Sequence, residues 1–259
     1  MNTKTIFITG ASSGIGYATA LAAARRGWNV IGTARRVERL AELEQAVAAL
    51  PSPHGEVLAL PADVTQAESL VEAVRRGLER FGRLDVVIAN AGLGQRGALV
   101  DSNWTDLEIV LRTNIEGLLH TIRAAVPAIQ KSGGGQVVLI SSVAGQIATP
   151  YTATYAASKA FVSSLARSLR LELEEQGIAV TDMLVGRTDT EFNEKRRGAG
   201  ARTGSKLPTM TPDQVAESIL QAIDRRSQTV VLRPFDRLIL LGNTLAPWLI
   251  ARLAKKQYK

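Results

Sequence analysis

Thr5-Ile6-Phe7-Ile8-Thr9-Gly10-Ala11-Ser12-Ser13-Gly14-Ile15-Gly16 is the stretch that decides the fold. Its first five residues are apolar or β-branched and read as a buried strand. Its end is a turn carrying Gly10, Gly14 and Gly16, with Ser12, Ser13 and Ile15 between them, and a helical pattern follows. Glycine permits a tight turn and lets another group approach the backbone closely. The helix that starts there offers unbonded N–H groups and a positive dipole end, the arrangement that receives a pyrophosphate. A glycine turn directly after a first strand is far more specific than glycines alone. The spacing is G-x-x-x-G-x-G rather than G-x-G-x-x-G.

Outward from that turn, short apolar runs alternate with helical stretches. Strands are expected at Thr5–Thr9, Asn29–Thr33, Glu56–Leu60, Leu84–Ile88, Gln136–Ile140, Ile178–Asp182 and Thr229–Leu232. Helical spacing is plain from Val37 to Leu50 and from Thr152 to Glu175. This alternation implies parallel strands with helices on both faces, a doubly wound α/β sheet. The strands are rich in Val and Ile with little polar alternation, which fits burial on both sides. No linker divides the 259 residues, so one domain over 1–259 is expected.

Composition narrows the chemistry. Hydrophobic residues make up 46% and charged residues 21%, ordinary for a globular protein. There is no cysteine, and His54 and His120 are the only histidines. Thiolate chemistry is excluded, and a histidine-based metal centre or triad nearly so; no metal is expected. The N-terminus lacks a signal-peptide pattern, so a cytoplasmic enzyme is expected. The net charge of +7 reads first as scattered solubility charge, and no zinc motif or concentrated basic arm points to nucleic acid.

Two local patterns carry function. The second strand ends in Thr33-Ala34-Arg35-Arg36. An acid there would bind a ribose 2′-hydroxyl; Ala34 with Arg35 and Arg36 suits a 2′-phosphate, so NADP(H) is expected over NAD(H). Tyr155 and Lys159 stand four apart in a helix, on one face and about 5–6 Å apart at Cβ. A tyrosine near pKa 10 is a poor base at neutral pH, and a neighbouring ammonium is expected to favour its phenolate. Tyr155 would then exchange a proton with an alcohol or a ketone oxygen.

These motifs, in this order, resemble the short-chain dehydrogenase/reductase family across roughly residues 4 to 235. Asp63-Val64 is similar to its adenine-contacting Asp element. Asn90-Ala91-Gly92 is similar to its N-N-A-G element, with Ala89 in the first Asn position. Asn114, Ser142 and Tyr155-Ala-Ala-Ser-Lys159 follow. The resemblance implies a seven-stranded, mainly parallel Rossmann fold and an oxidoreductase acting on a small carbonyl or alcohol. It makes Tyr155 the acid/base and assigns Lys159 also to the nicotinamide ribose. Ser142, at the family's usual offset and hence chosen over Ser141, would face the substrate oxygen. Asn114 would hold a water relaying protons to Lys159. Gly186, Thr188 and Thr190 would hold the carboxamide, although Val185 stands where the family has proline. A homodimer or homotetramer is implied.

Substrate contacts are expected from Val143 to Thr154, with Val143, Gln146 and Tyr151 beside Ser142 and Tyr155. A second source is the region of about 187–207, which reads as a solvated loop or as a lid favouring an anionic substrate. The apolar extension of about 236–259 is interrupted by Gly242-Asn243-Thr244 and Pro247, too broken to span a bilayer. Packing on the domain or on a partner subunit is its expected role, ahead of peripheral membrane contact. The competing functional reading is a catalytically idle cofactor sensor or scaffold, which a broken Tyr/Lys pair would favour; here Ser142, Tyr155 and Lys159 are all present.

Overall fold

The alternation of strands and helices is realised as a seven-stranded sheet of order β3-β2-β1-β4-β5-β6-β7, every neighbouring pair parallel. The computed structural model describes residues 3–198 and 209–258. The strands are β1 Thr5–Thr9, β2 Asn29–Ala34, β3 Val57–Pro61, β4 Val86–Ala89, β5 Gly135–Ser142, β6 Ile178–Val185 and β7 Thr229–Val231. Along β1, Phe7 points into one core layer while Ile6 and Ile8 point into the other, the period-2 alternation of a strand covered on both faces.

Helices α3 Ala67–Phe81, α5 Gly117–Lys131 and α6 Ala153–Leu173 cover the Phe7 face, with Leu70, Ile122, Ile129 and Val162 in its core. Helices α1 Gly14–Arg25, α2 Val37–Ala48 and α7 Pro212–Asp224 cover the other, through Ala20, Ala23, Leu43 and Ile219. The start of α7 is written in its sequence. Thr211 Oγ1 accepts from the Gln214 amide at 3.2 Å, the Gln214 side chain returns to the Thr211 amide at 3.0 Å, and Pro212 takes the first turn. Helix α4 Trp104–Leu111 runs into a π-turn at Arg112–Glu116 before α5.

The element boundaries differ from the sequence expectations for local reasons. β4 begins at Val86, because the Leu84 amide is taken by Ser132 Oγ at 3.0 Å rather than by the ladder. β5 and β6 extend past their expected ends, where they pair Ser141 with Leu184 and Ser142 with Val185. α6 starts after Thr152, and its end passes into a 3-10 turn at Glu174–Gln176, closed by Gly177 at φ +68°. The C-terminal extension forms two helices, α8 Pro234–Leu245 and α9 Pro247–Tyr258. Gly242-Asn243-Thr244 does not break α8: Asn243 Nδ2 donates to the Gln146 carbonyl at 3.0 Å, and the chain turns at Ala246 ahead of Pro247. Only one face of this extension packs on the sheet domain. Leu238, Leu245 and Trp248 are exposed, so of the two expected roles, packing on the domain accounts for only part of its apolar residues.

Candidate active site

Strand order reverses at β1, which has β2 on one side and β4 on the other. The loops leaving β1 and β4 therefore diverge and leave a crevice, the usual ligand site of an open parallel sheet. A cleft of about 500 Å³ lies there, running from Arg35 and Asp63 at one end to Ser142, Tyr155 and Lys159 at the other. That volume suits a small molecule or cofactor.

The first end is built by the glycine turn. Ser13 at the N-cap of α1 makes no side-chain cap, and the first helical turn carries no acid, so the amide end is kept for an anion. Gly10, Ser12, Ser13, Gly14 and Ile15 line the cleft. Gly16 does not; it allows the turn to close, since a Cβ there would stand 2.3 Å from the Gly10 carbonyl oxygen. Gly14, at φ +55°, lies under the Thr190 methyl, which a Cβ would meet at 3.2 Å. Asn90 Nδ2 donates to the Thr9 carbonyl at 2.9 Å, and Thr9 Oγ1 accepts from the Ala91 amide at 3.2 Å, tying the turn to the loop after β4.

The two arginines after β2 take different places. Arg36 Nη2 donates to Ser13 Oγ at 2.8 Å and Ser12 Oγ at 3.1 Å, while its Nη1 donates to Glu191 at 3.2 Å. Arg35 reaches over Asp63, 3.9 Å away. Asp63 itself accepts from the Thr65 amide and hydroxyl, each at 2.9 Å. Val64, Ala91 and Gly92 complete this wall.

At the other end, strand alternation separates two adjacent serines. Ser141 turns away to the buried Asp182 carboxylate and to the Met183 carbonyl, the latter at 3.2 Å. Ser142 faces the cleft, where Oγ donates to the Val185 carbonyl at 3.1 Å and accepts from the Ala144 amide at 3.2 Å. Tyr155 lies beside it on α6, its ring tilted 57° to that of Phe192 at 5.7 Å between centroids. Burial pushes the Tyr155 phenol above its ordinary value; the Ser142 hydroxyl and the Arg196 charge oppose that shift.

Lys159 is buried one turn further along α6, and Nζ donates to the Ile140 carbonyl at 2.8 Å. Desolvation lowers its pKa to about 8 against the pull of Asp182. This corrects the sequence expectation for the tyrosine. Lys159 shares its helix face, but the charge that acts on the phenol is that of Arg196, and burial outweighs it.

Asn114 sits in the π-turn, a break of helical register that recurs at functional sites. Its Oδ1 accepts from the Leu93 amide at 2.7 Å, and its Nδ2 donates to the Leu93 carbonyl and to Ser158 Oγ, each at 2.9 Å. It thereby holds the loop after β4 against α6. A methyl placed on Gly92 would stand 3.3 Å from Asn114 Oδ1 and 3.5 Å from Lys159 Nζ, so one small group between them touches both.

Gly186, Thr188, Thr190 and Val143 all line the cleft. β-branched Val185 extends β6 where proline would end its pairing. Gly186 is crowded: a Cβ would meet Asp236 Oδ2 at 2.3 Å. Two expected substrate residues are elsewhere. Gln146 holds α8 through its carbonyl, and Tyr151, at φ +61° and 48% exposed, borders a separate shallow pocket beside Arg96 and Asp106. The sequence reading missed Phe192 and the Arg233–Asp236 ion pair of 2.6 Å, which also line the cleft. The only signal for the pair is an Arg and an Asp three apart across Pro234, a helix start. Of the region expected as a lid, Arg187 and Arg196 line the cleft, and residues 199–208 lie outside the described residues.

A nucleotide crevice with a Ser, Tyr and Lys at its far end defines a class of oxidoreductase, and comparison with known proteins gives the same class. The chain matches the short chain dehydrogenase family model over residues 4–200 and belongs to the short-chain dehydrogenase/reductase family. An uncharacterized oxidoreductase of Listeria monocytogenes is 34% identical over 95% of this chain and 98% of its own. Among solved structures, an alcohol dehydrogenase from Thermococcus sibiricus complexed with 5-hydroxy-NADP is 30% identical, covers 86% of this chain and 91% of its own, and superposes with a TM-score of 0.76. A short-chain dehydrogenase/reductase from Burkholderia phymatum in complex with NAD shares the fold at a TM-score of 0.85, with 24% identity over 96% of this chain and 95% of its own.

Proposed function

We propose that this enzyme interconverts a ketone and a secondary alcohol with NADP(H) as its preferred cofactor and Tyr155 as the proton donor and acceptor. The observation that carries the reading is the meeting of Ser142, Tyr155 and Lys159 at one end of a cleft whose other end sets Arg36 against the glycine turn. The N-terminus of α1 would take the pyrophosphate, Arg35 and Arg36 with Ser12 and Ser13 the 2′-phosphate, and Asp63 the adenine side. Lys159 would hold the nicotinamide ribose. When bound, the cofactor supplies a hydride to the carbonyl carbon or takes one from the carbinol carbon.

The remaining work falls to the chain. Ser142 hydrogen-bonds the substrate oxygen as charge develops on it. Tyr155, a phenol that is protonated at neutral pH and whose pKa burial raises further, gives its proton to that oxygen in reduction. Lys159, with a pKa of about 8, lies near enough to neutrality to pass a proton on, and Asn114 holds the space between Gly92 and Lys159 through which it travels. The phosphorylated cofactor is supported by Ala34 in place of an acid and by the NADP derivative bound to the Thermococcus relative.

A panel of ketones and secondary alcohols, run with NADPH and NADH on the native enzyme and on Arg35→Asp and Arg36→Ala, tests this. The expected result is preference for NADPH that falls at least about tenfold in both variants. Unchanged preference contradicts the phosphate assignment.

A further inference from the structure

After Asp236 the chain has no acidic residue, yet it carries Arg237, Arg252, Lys255, Lys256 and Lys259. The same segment holds a concentration of exposed apolar side chains. On α8, Phe235, Leu238, Leu241 and Leu245 follow at spacings of three and four, which is one stripe of a helix. On α9, Trp248, Leu249 and Leu253 are exposed as well. The two helices pack on each other where Ile250 lies over Gly242; a Cβ there would be 3.2 Å from Ile250 Cδ1. The opposite side of α8 is anchored by buried Asp236, by Ile239 and by the bond from Asn243 to Gln146. The apolar stripe is thus what remains after the domain has taken its share.

Such a stripe is unfavourable in water, and three occupants can be weighed. No helix among the described residues is long and apolar enough to cross a membrane, and α8 and α9 have 12 residues each where a span needs about 20. A second copy meeting this face across a two-fold axis would set one all-cationic segment against another. An anionic lipid surface satisfies both features: apolar side chains enter the acyl boundary and the cations meet headgroups. Trp248, with the Arg252 guanidinium 5.7 Å from its ring, suits the interface between the two.

We propose that α8 and α9 form a docking surface for an anionic phospholipid bilayer. Phe235 of the stripe also lines the cleft, so the docking surface reaches the cleft.

The test is cosedimentation of the full-length protein with vesicles of phosphatidylcholine, alone or mixed with phosphatidylglycerol, at low and high salt. The expected result is partition onto the mixed vesicles at least about tenfold above the neutral ones, lost at about 0.5 M salt. The double variant L245E/L249E should stay in the supernatant while keeping its melting temperature and NADPH affinity. R252E/K255E, on exposed sites, is a second variant expected to lose the preference for anionic vesicles. Equal binding to both vesicle types, no binding, or binding unaffected by both variants overturns the proposal. So does a native oligomer that L245E/L249E splits without any vesicle binding, which would assign the face to a second copy.

Discussion

Arg36 and Glu191, 155 residues apart in the chain, are joined at 3.2 Å on the rim of the glycine turn. Glu191 also meets Arg39 at 2.8 Å and pairs with Lys195. Lys195, and after it Arg36, hold the carboxyl below the usual carboxylate range. A carboxylate thus occupies the guanidinium that the proposed 2′-phosphate needs. Glu191→Gln is therefore expected to tighten NADPH and to leave NADH nearly unchanged. The pair is half-exposed, where an ion pair is worth at most about 1 kcal/mol, so the gain is about two- to fivefold in Kd. Fluorescence titration with both nucleotides measures it; equal tightening of both would mean that Glu191 does not compete with the phosphate.

Ser141 and Ser142 differ by one position and by one face of β5. Ser142→Ala is expected to cut kcat by about 10²- to 10³-fold, the usual effect of losing a donor at a developing oxyanion. Ser141→Ala strips a hydrogen bond from buried Asp182 and should cost about 1–3 kcal/mol of stability while sparing turnover. Denaturant melts and steady-state rates on both variants separate the two roles. A Ser141→Ala enzyme as impaired in turnover as Ser142→Ala would reverse the assignment.

The depressed pKa of Lys159 has a stability signature. Its ordinary value is 10.5 and its folded value about 8. Between these, the unfolded chain keeps a proton that the folded chain has shed, so stability rises with pH across the window. The Lys159 contribution is full above 10.5 and is lost as pH falls through 8. Relative to Lys159→Met, the cofactor-free native enzyme should gain up to about 3 kcal/mol between about pH 7 and 10. Tyr155, whose value is raised, opposes this only above its ordinary 10. Chemical denaturation of both proteins across that range reads the effect; a flat difference would show that Lys159 is not buried in its charged form at neutral pH.

Local patterns in the sequence make the sheet and much of the site legible. The glycine turn, the β-branched strands and the four-residue spacing of Tyr155 and Lys159 are short-range features, and β1 falls where expected. Side-chain direction is not legible in the same way. Lys159 turns to the Ile140 carbonyl because β5 passes beneath α6, a tertiary fact. Arg36 rather than Arg35 reaches the glycine turn because α2 begins there and orients the two guanidiniums apart. Gln146 reads from its position as a substrate contact, and nothing local shows that its backbone carbonyl accepts from Asn243, 97 residues later. The C-terminal extension shows the same limit: its apolar content is visible in the sequence, but which face stays uncovered depends on where Asp236 and Asn243 anchor it.

The central claim is proton transfer by the Tyr155 hydroxyl, and Tyr155→Phe tests it most directly. The substitution keeps the ring against Phe192 and removes only the oxygen. NADPH affinity and turnover of the best ketone from the panel should be measured on the same preparation. The expected result is unchanged NADPH affinity with turnover lower by about 10²- to 10⁴-fold, the worth of a positioned acid. Turnover within about tenfold of the native enzyme would contradict the account.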